Sequence, residues 1–204
     1  LTFDAKVYQN HIQDVIEAEI VRQIDKSNTN HIGFFHQNIF RYIGSNWCVP
    51  DAGYDIINAD LHYYIEMKNK HNTMNSSSSQ KTYMRMQHTL LSDDEATCFL
   101  VEVIAKHSQN IKWSLSLDGK PVSHKNIRRI SIDQFYTLVT GQHDAFKCLC
   151  EQLLVAIDDV IAYEALESKQ NTVVEELQHL SPNVLKSLYL LSFHQYEGFD
   201  QFDV

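Results

Sequence analysis

The spacing of apolar residues changes character at Val49 and Pro50, and that change constrains the fold more than any other feature of the chain. Ahead of it, Tyr8, Ile12, Val15, Ile16, Val21 and Ile24 recur at helical intervals, as do Ile32, Phe35, Ile39, Phe40 and Ile43. This spacing predicts a helix over residues 5–24 capped by Asp4, and another over 31–43 capped by Asn30 and stopped by Gly44. Beyond Pro50 the apolar period falls to two or runs unbroken. Strands are expected at 54–58 and 61–68, with Ala59 and Asp60 as a two-residue hairpin turn.

Residues 72–80, with four consecutive serines from Ser76 to Ser79, read as a polar, mobile loop. A helix resumes at 81–91. Strands follow at 98–105, at 111–117 up to Asp118 and Gly119, and, shorter, at 127–130. Ser131 resembles the cap of a helix over 132–139 that Gly141 ends. A long amphipathic helix covers 145–167, and Ser181 and Pro182 lead into a last one at 184–193. Helices, then four or five strands, then helices imply an α/β sandwich with a mixed central sheet. At 204 residues the chain reads as one domain, 1–204, made of N-terminal helices (1–45), a sheet core (46–130) and a helical C-terminal part (131–204).

Composition narrows the function classes. No apolar run of eighteen residues appears, which argues against a transmembrane helix, and Leu1 to Lys6 carry no basic segment followed by an apolar one, so no secretory signal is expected in the numbered chain. A cytoplasmic protein with reduced, mostly buried thiols at Cys48, Cys98, Cys148 and Cys150 is the expectation. The eleven histidines fall in no zinc-ligand spacing. The formal charge is −9, but residues 141–204 hold eleven acidic and three basic side chains, a net of −8. Residues 66–129 hold ten Lys/Arg against six Asp/Glu, a local net of +4 that suits phosphates.

Within that basic stretch, Glu66-Met67-Lys68 ends the second expected strand. A two-residue turn sets Asp55 opposite Tyr64 and diagonal to Glu66, on the face that Glu66 and Lys68 share. Two carboxylates can hold Mg2+, which prefers oxygen ligands and keeps several waters. Lys68 would orient an attacking water and offset charge on a pentavalent phosphorus. The chemistry to be expected of such a set is phosphodiester hydrolysis, with a 5′-phosphate and a 3′-hydroxyl as the expected products. Trp47 and Trp113 flank strands and are expected in the core.

Val49-Pro50-Asp51-Ala52-Gly53-Tyr54-Asp55 and Tyr64-Ile65-Glu66-Met67-Lys68-Asn69-Lys70-His71-Asn72-Thr73 resemble the PD-(D/E)xK nuclease superfamily, and more closely the type II restriction endonucleases that cut GGNCC sites. Ile132 to Tyr136 and Leu138 to Gly141 also fit that group. The resemblance implies a restriction-endonuclease-like three-layer α/β core with a mixed four- to five-stranded sheet. It also implies a Mg2+-dependent homodimer acting on double-stranded DNA, with a cognate methyltransferase as genetic partner. For the first acid it leaves two candidates, Asp51 after the proline and Asp55 on the strand, with the hairpin register favouring Asp55. Some superfamily members add a carboxylate from the first helix, for which Glu19 or Glu17 stands here. Lys70, His71, Asn72, Lys81 and Arg85 flank the site as DNA-binding candidates, and the loop 69–80 would face DNA. Two other readings fit the residues: a repair or junction-resolving nuclease of the same superfamily, and a non-catalytic DNA-binding protein in which Glu66 and Lys68 form a structural ion pair.

Overall fold

A computed structural model of the chain describes residues 1–44, 46–164 and 172–193. They form two compact units, one that includes residues 1–28 and 172–193 and another within 29–164. In the first unit, Ile16, Leu177 and Val184 are buried together, with Ile12, Ile20, Val174 and Leu188 packed around them. These side chains come from the start of α2 (Ile12–Ile43) and from α6 (Val173–Leu180) and α7 (Val184–Phe193); the short α1 (Thr2–Val7) contributes none of them.

The second unit is built on a six-stranded mixed sheet in the order β1-β2-β3-β4-β6-β5. Its strands are β1 (Trp47–Cys48), β2 (Ile56–Asn58), β3 (Tyr63–Lys70), β4 (Thr97–Ile104), β5 (Asn110–Leu117) and β6 (Lys120–Ser131). β3, β4 and β6 run parallel at its centre, while β1, β2 and β5 pair antiparallel at the edges. Central parallel strands are covered on both faces. On one face Ile56, Ile65, Met67, Phe99, Val101 and Ile130 pack with Phe40 of α2 and with Phe135 and Tyr136 of α4 (Ile132–Thr140). On the other, Cys98, Leu100, Trp113 and Ile127 pack with Tyr83 and Met86 of α3 (Ser76–Ser92). Helix α5 (Ala145–Glu164) adds Ala145, Phe146 and Leu149 to the first face. The architecture is a mixed sheet flanked by helices, consistent with a restriction-endonuclease-like fold, and Trp47 and Trp113 lie in its core as expected.

Five local expectations are corrected, the last of them at the hairpin. The two N-terminal helices over 5–24 and 31–43 are instead the short α1, a break at Gln9 with φ 54, and one 32-residue helix through Asn28, Asn30 and Gly33. Asn30, expected as a cap, lies inside the helix, since a single Asn or Gly costs only about 1 kcal/mol or less of helix propensity. The serine run 76–79 is not loop but the first turn of α3: Asn75 accepts a hydrogen bond from Ser78 N–H at 2.8 Å, and a cap of this kind turns coil-favouring residues into a helix start. β6 is twelve residues long rather than the short 127–130 segment. Of the four thiols only Cys98 is buried, while Cys48, Cys148 and Cys150 are exposed, and all four are free.

The hairpin correction bears on the site. Its turn holds residues 59–62, not two residues. The Asn58 side chain accepts from Leu61 N–H at 3.1 Å, and His62 adopts φ 53, so that Asn58 pairs with Tyr63 rather than Leu61. The register has moved by two positions. Because strand faces alternate with period two, every side chain keeps its face. The helix expected to reach residue 167 is described to Glu164, its last positions lying outside the described residues.

Candidate active site

Ile56 pairs with Ile65, and Asp55, one residue ahead of β2, donates its N–H to the Ile65 carbonyl at 2.9 Å. Extending that register sets Asp55 level with Glu66 rather than diagonal to it. The Asp55 carboxylate is fixed at both oxygens: Oδ2 accepts from Met67 N–H at 2.6 Å and Oδ1 from Gln37 Nε2, on α2, at 2.9 Å. Burial pushes its carboxyl above the usual range. The Met67 N–H opposes that rise, the negative charge of Glu66 adds to it, and Lys68 and Arg85 draw it back.

Glu66 is buried within β3, which alternates Ile65 and Met67 into one core face and Tyr64, Glu66 and Lys68 toward α3. Lys68 Nζ lies 2.6 Å from Glu66 Oε1, and Arg85, reaching down from α3, pairs with Oε2. Arg85 is itself held in place. Its guanidinium donates to the Gly53 carbonyl and lies 4.7 Å from the Tyr54 ring centroid. Gly53 has φ +96, a backbone conformation that favours glycine, in the turn leading into Asp55.

Above these groups opens a cleft of about 470 Å³ lined by Glu66, Lys68, Ser78, Lys81 and Arg85. The structure thus brings together Glu66, Lys68, Lys81 and Arg85, with Asp55 beside Glu66. Lys70 and Asn72 are exposed and line a second, narrower recess that also contains Lys68. Asp51 is exposed in the turn 51–53. Glu19 belongs to the first unit and is engaged on its own helix by Arg22 and Gln23, whose hydrogen bonds hold its carboxyl down at about 2. Glu17 is exposed.

Three residues at or beside the site escaped the sequence reading. Gln37 is an uncharged position on a helix face and carries no signal. Glu102 did carry one, as the single charge in the apolar strand Thr97–Ile104. It is buried and paired with Arg129 and with His71, whose Nδ1 lies 3.3 Å from Oε1. Arg129 lies within the expected strand 127–130, but its pairing with Glu102, twenty-seven residues away, leaves no local signal.

Two carboxylates set level across the β2–β3 pairing, the half-buried Asp55 raised chiefly by burial and further by the charge of Glu66, form an oxygen-only donor pair that fits a hard divalent cation. Among the described residues no three His, Cys, Asp or Glu side chains converge as a fuller metal cluster. Such a site suits Mg2+, whose remaining ligands are waters and a substrate phosphate, and does not suit zinc.

Comparison with known proteins points the same way. The profile of the Eco47II restriction endonuclease family matches residues 1–162. The type II restriction enzyme Sau96I of Staphylococcus aureus is 32% identical, over 93% of this chain and 82% of its own length. The type II restriction enzyme Eco47II of Escherichia coli is 28% identical, over 78% of this chain and 71% of its own. No solved structure matches the chain.

Proposed function

Because the chain belongs to the Eco47II restriction endonuclease family, and is thereby a type II site-specific deoxyribonuclease, we propose that it cuts double-stranded DNA at a GGNCC-like site in a Mg2+-dependent reaction centred on Asp55, Glu66 and Lys68. The observation that carries this reading is the level register of Asp55 and Glu66, with Lys68 two residues on, at the floor of a cleft rimmed by Lys81 and Arg85. Asp55 and Glu66 would hold Mg2+. When bound, the ion supplies Lewis acidity and lowers the pKa of a coordinated water.

The chain's own side chains do the rest. Gln37 and the Met67 N–H keep the Asp55 carboxylate aimed while it is buried. The Lys68 ammonium, now on Glu66, holds the attacking water in line and offsets charge as the phosphorus becomes pentavalent. Arg85 and Lys81 neutralise the phosphates on either side, leaving a 5′-phosphate and a 3′-hydroxyl at the break. Asp55 serves as the first acid in preference to Asp51, because only Asp55 is tied to the backbone of β3. The protein acts in the cytoplasm as a homodimer whose two-fold symmetry matches that of the site, beside a methyltransferase that protects host DNA.

A plasmid of known sequence, digested with Mg2+ and read by run-off sequencing, should give discrete fragments with 5′-phosphates at GGNCC-like sites. Cutting confined to branched or damaged DNA would assign a different nuclease activity. Lys68→Ala should slow cleavage at least about a hundredfold while binding in Ca2+ persists. Full cleavage by that variant would overturn the mechanism.

A further inference from the structure

Beside the proposed centre lies a second charged cluster. Glu102 on β4 pairs in register with Lys68 on β3, and Arg129 on β6 pairs with Leu100, so these side chains share the face covered by α3. Glu102 is 2% exposed. Its Oε1 accepts from Arg129 Nη2, which also lies 2.6 Å from His71 Nδ1. His71 Nδ1 also lies 3.3 Å from Glu102 Oε1, so the ring stands against both members of the pair.

Burying an ion pair returns its desolvation cost only when every polar atom is satisfied. Here it is not: Glu102 Oε2 and Arg129 Nε are buried without partners. Structural bracing alone does not account for such a pair. Both residues line a recess of about 60 Å³ together with Lys68, Lys70, Asn72 and Ser79. Three cations against one carboxylate give it a positive field, and its volume, about that of two waters, admits phosphate oxygens but no base. The recess and the larger cleft share Lys68, so a strand whose scissile phosphate sits at Lys68 has a neighbouring phosphate to lodge.

We propose that Arg129, held from behind by Glu102 and His71, binds the DNA backbone phosphate next to the one that is cut, in the recess it shares with Lys68 and Lys70. This rests on the nuclease reading above. A guanidinium fixed by a buried carboxylate loses little freedom on meeting a phosphate, which favours Arg over a mobile Lys. The contact carries no sequence information; it sets the strand's register over Glu66 and Lys68.

The full-length protein with Ca2+ in place of Mg2+, titrated across salt concentrations with a cognate and a scrambled duplex, tests this. The double variant Glu102→Gln with Arg129→Met removes both charges of the pair, so the protein's net charge is unchanged. The slope of log affinity against log salt should shrink by about one, with equal loss on both duplexes. Glu102→Gln alone should retain the slope. A folded double variant with wild-type slope and affinity would overturn the proposal. So would wild-type protein that binds equally well when the neighbouring phosphate is replaced by an uncharged methylphosphonate, a measurement that needs no variant to fold. Wild-type protein that cuts DNA yet gives either negative result leaves the nuclease reading standing and removes only the role of Arg129.

Discussion

Gln37 offers one hydrogen bond, yet it sets the direction in which Asp55 points. Partners of this kind behind a metal-holding carboxylate are worth about 10–100-fold in metal affinity or activity. Gln37→Leu should therefore raise the Mg2+ concentration at half-maximal cleavage by about that factor, with little change in DNA binding. An unaltered Mg2+ titration would mean that the Met67 N–H alone suffices. The contrast with Glu66 and Lys68 is instructive. Those two stood out because their residue types and spacing suggest a chemistry, whereas an amide on a helix face carries no such signal until α2 is laid beside β2. Glu102 falls between the two: a lone charge in an apolar strand signals a purpose, but its partner sits on a strand twenty-seven residues away.

Among the elements, β4, β5, α5 and α7 were read more accurately than the N-terminal helices and the turns, while β1 and α6 were not expected and β6 was expected too short. β4 and β5 fall within a residue or so of their expected limits, because apolar runs between turn residues leave few alternatives. The hairpin turn was misread because Asn58, placed in a strand, also closes the turn with its side chain. That turn is braced at its far end by His62, whose Nδ1 lies 2.8 Å from Asp93 at the end of α3, where Tyr64 also donates to Asp93. Asp93 raises the His62 pKa, and His62 in turn holds the Asp93 carboxyl down. The histidine's contribution is thus complete below its unfolded pKa, near 6.5, and fades as pH rises through the higher folded value. The aspartate's contribution is complete above its unfolded value, near 3.9, and fades as pH falls through the lower folded one. Between them lies a mildly acid window of greatest benefit. His62→Asn should lower the thermal midpoint there and have a smaller effect in alkaline buffer. An equal loss at both ends would show that the ring acts by packing alone.

At the scale of the molecule, the two faces of the sheet divide the labour. The face toward α4 is aromatic, with Phe40 and Phe99 each against Phe135, while the α3 face trades part of its core for Glu66, Lys68, Glu102 and Arg129. Phe135 is fully buried at the centre of the first face. Phe135→Ala should cost about 3–5 kcal/mol in urea unfolding, while cleavage per folded molecule stays near normal. A specific loss of activity at unchanged stability would show that the two faces are coupled. The turn at 59–62 has a further meaning at this scale. Since the hairpin lost its expected register by two and kept its site, loop length here is counted modulo two. An even insertion slides Asp55 along Glu66 and leaves both on one side; an odd one turns the strand over and puts the sheet between them.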